Sequence, residues 1–407
     1  MEDRKLMLKS IDNNSDHDYS LQLNRWYLKP IGAWPLTSAS STTEKVMLLI
    51  QVLVCWAIVC SIMIPCTLYV FFENVSIREK LSAIAPLLNR VMGSFNYLVL
   101  LQHSVNIRDC IEHMGADWEM MQKANDREVM MQHAKFGRFI AVICGVIMQG
   151  GTFLYGVAKA MKTVTIVIGN ETVTMHPMTC PAYSKIIDTR YGPVNEIVLV
   201  VQILSTFVVS SATVGICSLA AVFATHASGQ LNVLYMRLGE LSENQKEDIH
   251  IAEQSMISIV EHHLRVLSFI SRVENIMHKA SLVELTGCTI ILCLLGYYIL
   301  LNWGTFDAAQ IISYVIVYVS MAFNIFIFCY IGEILTEKCK HVGQMAYMTN
   351  WYKLNPKTAR GLVLIIAQSS KVIKITAGKL LPLSIATFGD VLRTSIVYLN
   401  ILRTMTM

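Results

Sequence analysis

The run from Val46 to Phe72, VMLLIQVLVCWAIVCSIMIPCTLYVFF, contains no Asp, Glu, Lys or Arg. At 1.5 Å per residue, about 20 apolar residues carry a helix across a hydrocarbon layer of ~30 Å. A backbone in lipid must satisfy its own hydrogen bonds, and a single unbroken apolar run does so as a helix. The run therefore reads as a membrane span. Further apolar blocks follow at Leu81–Val105, Phe136–Ala158, Val194–Thr225, Ser281–Leu301 and Ala308–Leu335. The second is weakened by Asn89 and Arg90, and the fourth is longer than a bilayer requires. A last block is split into Gly361–Ala367 and Leu380–Met405. The fold class expected is all-α, a seven-span transmembrane helical bundle.

Composition agrees. Of 407 residues, 54% are hydrophobic and 15% charged, where soluble domains carry roughly a quarter charged. The net charge of +4 is mild and no basic run occurs, so nucleic acid is not an expected partner. The first forty residues are polar and no short apolar leader with a cleavage site follows the start. The first block would then act as the insertion signal. The eleven cysteines form no C-x-x-C pair. Cys55, Cys60, Cys66, Cys144, Cys217, Cys288, Cys293 and Cys329 sit in or beside apolar blocks, where thiols behave as small hydrophobes. Neither a disulfide framework nor a metal site is expected, and no cofactor.

With a cytoplasmic N-terminus, segments 1–45, 106–135, 226–280 and 336–379 lie inside and hold most of the Lys and Arg, as the positive-inside rule favours. Segments 73–80, 159–193 and 302–307 then lie outside, and the C-terminus is extracellular. The sequons at Asn74 and Asn170 fall outside in this topology, Asn170 being the better placed for glycosylation, and the one at Asn13 falls inside.

The segment 226–280 reads as more than a loop. Ile257, Val260, Leu264 and Leu267 recur at helical spacing, and Glu243 to Asp248 forms a charged turn before them. Blocks four to six are thus expected to continue as helices beyond the membrane, into a cytoplasmic helical bundle. His262 and His263 point about 100° apart on a helix and cannot share one metal; they read as solvated. Glu196 and Glu284 fall at block ends. No G-x-x-x-x-G-K-[ST], H-E-x-x-H, G-x-S-x-G or T-V-G-Y-G pattern occurs, so the chain reads as no enzyme.

The last block is unusually polar. It carries Ser384, Thr387, Asp390, Arg393, Thr394, Tyr398, Asn400 and Thr404. Charged groups in a span face protein or a water-filled path. Ser384, Thr387, Thr394, Tyr398, Ile401 and Met405 recur on one helical face. Two readings stay open on pattern alone. The stripe packs against other spans through polar bonds, or several copies surround an axis that Ile401 and Met405 constrict.

From Phe328 to Met405 the chain resembles the C-terminal signature of the insect odorant receptors. The matching pieces are Tyr330-Ile331-Gly332-Glu333, Ala346-Tyr347-Met348-Thr349-Asn350-Trp351-Tyr352 and Thr376-Ala377-Gly378-Lys379-Leu380-Leu381-Pro382-Leu383-Ser384. Thr387-Phe388, Leu392-Arg393-Thr394-Ser395, Tyr398 and Leu402-Arg403 follow. The resemblance implies an odorant-gated, non-selective cation channel in the plasma membrane of olfactory sensory neuron dendrites. It implies a heterotetramer that pairs a ligand-tuning subunit with a common co-receptor subunit. This chain lacks the co-receptor's large insertion before block five, and so resembles the tuning subunit. By the same resemblance, 1–45 is a cytoplasmic segment, 46–335 holds six spans with long inner extensions, 336–379 is the intersubunit anchor, and 380–407 lines the pore. The outer gate falls on Ile401, Thr404 and Met405. Arg403 is expected to point away from the lumen.

The family's pocket lies in the outer half of the bundle, among blocks two, three, four and six, and takes small volatile organic ligands. At that depth the sequence offers Met92, Phe95 and Asn96; Met148, Gly151, Thr152 and Tyr155; Gln202, Thr206 and Phe207; and Tyr314 and Tyr318. Gly150-Gly151 would leave room for a ligand. Each of these residues is equally suited to interior packing. A G-protein-coupled receptor would show a D-R-Y-like triplet and N-P-x-x-Y, and a transporter internal repeats; the chain has none of these. A gustatory receptor channel shares the architecture but usually ends in a shorter signature.

Overall fold

A computed structural model describes residues 16–407 except 38, 122, 169–170, 190–191, 244–248, 302–307, 372–373 and 407. The sequons at Asn13 and Asn170, most of the charged turn before Ile249, and the segment 302–307 lie outside the described residues.

Helix α1 covers 16–28. Then come α2 (Thr42–Phe72), α3 (Ile77–Gln102), α4 (Ser104–Met120) and α5 (Ala124–Cys144). A π-helical turn, Gly145–Gln149, joins α5 to α6 (Gly150–Met161). Strands β1 (Val164–Ile168) and β2 (Glu171–Met175) form an antiparallel hairpin. The long helices α7 (Val194–Glu243), α8 (Ile249–Leu301) and α9 (Ala308–Met348) follow. Helix α10 (Pro356–Ser370), the small hairpin β3 (Thr376–Ala377) and β4 (Leu381–Pro382), and α11 (Ile385–Thr406) complete the chain. Among the described residues, seven helical segments are long and apolar enough to cross a membrane: α2, α3, α5 with α6, α7, α8, α9 and α11.

Local chemistry starts several of these helices. Ser41 and Glu44 exchange side-chain-to-backbone bonds of 3.2 and 3.1 Å at the head of α2, a reciprocal capping box. Ser76 and Glu79 do the same for α3. Pro356 opens α10 where its missing N–H is harmless.

Helices α7 and α8 have 50 and 53 residues, so each is about 75–80 Å long, more than twice the hydrocarbon thickness. Each is longer than a bilayer crossing requires. Helix α7 is the axis of the bundle. Ala212, Ile216, Leu219, Phe223, Ala227, Leu231 and Leu234 are buried along it, and α2, α3, α5, α8 and α9 pack around it. Val209 stands so close to Gly93 of α3 that no side chain fits there.

Several expectations change. The segment 106–135 contains α4 and the start of α5. Gly361–Ala367 lies in the amphipathic α10, which is not a span. Residues 380–384 belong to the hairpin and its exit, so the last helix starts at Ile385. The hairpins add a little β structure to the helical bundle. On α8 Met256, Ile259, His263, Val266, Leu267, Ile270 and Val273 are among the buried positions. Of the stripe read from sequence, Leu267 is buried and Val260 packs against the core, whereas Ile257 and Leu264 are exposed, so the buried face is turned partly away from it. His263 is 2% exposed. His262 bonds Gln230 at 2.7 Å, so neither histidine is solvated.

A charged network ties α4, α7 and α8 together at the end away from β1 and β2. His226 donates to Asp117 at 3.0 Å, and Arg265 donates to its other oxygen at 2.7 Å. Arg272 donates to His113 Nδ1 at 2.6 Å. Burial would raise the Asp117 carboxyl, but the His226 bond and the charges of His113 and Arg265 hold it below its ordinary value. Burial pushes the His113 imidazole down to about 4 despite neighbouring Asp117. Helix α1 closes this end, with Leu21 and Leu28 fully buried and Arg127 paired to Asp16 at 2.6 Å.

Candidate functional site: an inner cavity and an uncovered helix

A cavity of ≈ 570 Å³ opens between α3, α6, α8, α9 and the loop that follows β2. That volume lies in the usual range for small-molecule sites. The π turn precedes α6. It inserts one residue into the helical repeat and so changes which side chains face inward. Gln149, its last residue, donates to Ser211 of α7 at 3.0 Å. Beyond it Thr152, Tyr155, Gly156 and Lys159 line the cavity. Tyr314 stands between Tyr155 and Tyr298, with ring centroids 6.2 and 5.3 Å away. Lys159 lies over the Tyr155 ring, 5.8 Å from its centroid.

The loop after β2 roofs the cavity through Met175, Met178, Thr179 and Pro181. It is fastened at both sides. Gln202 accepts from the Thr179 N–H at 3.1 Å and donates to the Cys180 carbonyl at 2.6 Å. Asn195 donates to the carbonyls of His176 and Thr189 at 3.2 and 3.0 Å. Glu73, at the end of α2, accepts from Ser184 Oγ at 2.7 Å. Cys180 packs on Cys66 of α2. The Cys66 hydrogen bond and the Arg90 charge pull the Cys180 thiol below its ordinary value, against burial.

Of the residues read from sequence, Thr152, Tyr155, Thr206 and Tyr314 line this cavity. Met92, Phe95, Asn96, Met148, Gly151, Gln202, Phe207 and Tyr318 stand outside its lining. Gly151 meets Ile316 and Ser320 of α9, so its missing side chain serves helix contact rather than ligand space. Phe207 is 44% exposed on the outer surface. Gln202 holds the roof. Met92 packs beside Gly287 of α8. Asn96 donates to Thr213 at 3.1 Å and to Glu284. Asn324 of α9 donates to the other Glu284 oxygen at 2.5 Å. Glu284 is thus a deeply buried junction of α3, α8 and α9, linked to α7 through Asn96, 2% exposed, and not a block-end residue.

Sequence reading did not select Arg90, Lys159, Tyr298 or the roof loop. Arg90 was legible as a charge inside an apolar block, which is itself a functional signal. The roof was not, because its approach to the cavity depends on the non-local bonds of Gln202 and Asn195.

The second feature is α11. It rests on α8 and α9, yet only 11% of its apolar window is buried. Val391 and Ser395 face inward, while Asp390, Arg393, Tyr398, Asn400, Ile401 and Thr404 are exposed. Met405 lies in the helix, with its side chain outside the described residues. Two segments carry α11. Gly378 and Lys379 both take positive φ (63° and 61°) in the β3–β4 turn. The Gly378 N–H donates to the His278 carbonyl of α8 at 2.7 Å. On the other side, Gly332 of α9 approaches the Leu383 carbonyl so closely that an added Cβ would lie 2.5 Å from it.

Residues 76–396 match the family described as 7tm odorant receptor. Odorant receptor 13a of Drosophila melanogaster is 24% identical over 409 residues, covering 93% of each chain. Odorant receptor Or2 of Anopheles gambiae is 21% identical over 299 residues, covering 72% of this chain and 75% of that one. Among solved structures, the insect olfactory receptor OR5 from Machilis hrabei aligns with TM-score 0.77 and 14% identity, covering 95% of this chain and 99% of that one. The same receptor in complex with eugenol aligns with TM-score 0.73 and 14% identity, covering 95% and 100%. These two likenesses concern the fold.

Proposed function

The chain belongs to the 7tm odorant receptor family, and from that premise we propose that it is the ligand-tuning subunit of an odorant-gated, non-selective cation channel. The observation that carries this reading is α11. A spanning helix so little covered, with Asp390, Arg393 and Asn400 exposed, is costly against lipid. It becomes tolerable where equivalent helices of other subunits enclose a water-filled path with it. Ile401, Thr404 and Met405 then form the outer gate. The proposed partners are co-receptor subunits in a heterotetramer, membrane lipid and a small volatile ligand.

The ≈ 570 Å³ cavity is the proposed ligand site. Its position suits the role, since α8 lines it through Ile291, Leu295 and Tyr298 and also carries α11. The receptor from Machilis hrabei, which shares the fold, has been solved in complex with eugenol. At the end of α9 and beyond it, the surface exposes Tyr347, Met348, Trp351, Tyr352, Val363 and Leu364. So large an apolar patch calls for a covering partner and supports 336–379 as the subunit anchor. With that end in the cytoplasm, the N-terminus is inside, the C-terminus outside and Asn170 open to glycosylation, in the plasma membrane of olfactory neuron dendrites.

The test is co-expression with the co-receptor and a panel of volatile hydrocarbons, alcohols, esters and acids. The expected result is a cation current within milliseconds that persists without GTP. A current that requires G-protein signalling, or an N-terminal tag accessible on intact cells, overturns the reading.

A further inference from the structure

Arg90 is a buried cation whose Nε the packing leaves without a partner. It sits on α3 in the wall of the cavity and is 3% exposed. A guanidinium keeps its charge at any physiological pH. Its terminal nitrogens reach Thr206, at 3.1 Å, and the Cys180 thiol, and its Nε has no partner. Among the described residues, no carboxylate lies within ion-pair distance of it. A buried cation without an anion is strongly unfavourable, and the usual compensation is a paired, hydrogen-bonded carboxylate.

The acidic groups of the cavity stand elsewhere. Glu79 closes the α3 capping box and Glu73 is bonded to Ser184. Glu79 precedes Arg90 by about 16 Å of helix rise, and Asp188 belongs to the roof loop. Among the described residues, no printed ion pair joins Arg90 to any of these carboxylates. Elsewhere in the lining, α8 and α9 contribute Ile291, Leu295, Val317 and Met321, an apolar surface.

Resting on the proposal that this cavity is the ligand site, we infer that its preferred ligand is a medium-chain organic carboxylate whose head group is held by Arg90 and whose alkyl chain lies along α8 and α9. The Nε–H and a terminal N–H present the fork that matches a carboxylate's two oxygens. A hydrocarbon of equal length leaves Nε unpaired, and an ester supplies acceptors without charge. Cys180 is the nearby thiol that competes for the same cation, since its Sγ lies under the Arg90 charge.

The experiment measures direct binding to the full-length chain purified in detergent, by calorimetry and ligand-induced thermal shift. The probes are octanoate, methyl octanoate, 1-octanol and nonane. Octanoate is expected to bind about tenfold or more tighter than methyl octanoate, the scale of a charge-assisted bond against a neutral one. Arg90→Gln abolishes that preference, Arg90→Lys keeps part of it, and Cys180→Ser leaves it intact or larger. A purely structural Arg90 would instead weaken all four probes in parallel. That result, equal binding of acid and ester, or no binding of any probe overturns the inference. Currents evoked by neutral volatiles with no acid preference sink this inference alone. Arg90-dependent octanoate binding without any current in the co-expressed channel sinks the channel reading alone.

Discussion

The Glu333 carboxylate of α9 accepts a hydrogen bond of 3.2 Å from the backbone N–H of Ile385, the first residue of α11. Helix N-termini have orphan N–H groups and a partial positive charge, so a carboxylate there is favourable on both counts. Two pieces of sequence far apart in the chain, Tyr330–Glu333 and Thr376–Ser384, meet at this point. Removing the bond with Glu333→Ala should cost α11 about 1 kcal/mol, in the range of a lost cap. The channel should then show smaller ligand-evoked currents with unchanged ligand binding, measured by calorimetry beside patch recording.

Gly378 turns the β3–β4 hairpin at φ 63°, and a Cβ there would stand 2.6 Å from Leu282 of α8. Gly378→Ala combines left-handed backbone strain, about 1 kcal/mol or more, with that overlap. Its expected outcome is a lower thermal midpoint and reduced surface labelling. Lys379→Gly, which relieves strain at the neighbouring position, should be neutral or mildly stabilising.

The network around Asp117 makes the far end of the bundle acid-sensitive. His113 is held neutral, its value lowered from 6.5 to about 4. Between those values the unfolded chain binds a proton that the folded chain refuses, so stability falls as pH drops from 6.5 toward 4. The lowered Asp117 carboxyl adds a loss of the same sign at lower pH, as it protonates. Thermal unfolding of the purified chain should fall over this window by about 1–3 kcal/mol. His113→Gln, which keeps an acceptor for Arg272, should remove His113's share of that fall and leave the shares of His262 and His263, whose imidazoles burial also pushes down to about 4.

Gln202 spans the roof of the cavity with three side-chain bonds, to Thr179 N, Cys180 N and Cys180 O. Gln202→Leu leaves those backbone groups unpaired, at about 1–3 kcal/mol for each buried group. The expected consequence is a looser roof: faster ligand dissociation in binding kinetics, with the order of preference among ligands retained.

Ile401 is half exposed on the open side of α11. In the pore-lining role proposed for α11, replacing it with Ala would widen a dewetting constriction, so Ile401→Ala should raise current without ligand. Asp390→Asn, on the same helix, should lower unitary cation conductance, because a carboxylate near a pore concentrates cations. No change in either quantity would remove α11 from the pore wall.

The architecture was largely legible in the sequence, because an apolar run of bilayer length constrains the backbone to one solution. The same argument located the spans but not their rotation. Ile257 and Leu264 fit a helical stripe as well as Met256 and Ile259 do, and only the neighbours of α8 decide which face is buried. The cavity was half legible for a related reason. Depth along a span selects Thr152, Tyr155, Thr206 and Tyr314, but it also selects Met92 and Phe207 on other faces of the same helices. The π turn at Gly145–Gln149 shifts the helical phase by an amount that no simple periodicity contains. The polar last span drew attention for a sound physical reason, and its exposure in the fold keeps that reason in force.

The lengths of α7 and α8 set a mechanical ratio. Each is a continuous rod that lines the cavity near one end, through Thr206 and Ile291, and enters the Asp117 network further along, through His226 and Arg265. A tilt of about 2° over ~75 Å displaces the far tip by about 2–3 Å. A ligand therefore need not push anything through the pore. A slight change in the angle at which two stiff levers lean against each other would be magnified at the tips far from the cavity, while the cavity walls barely move.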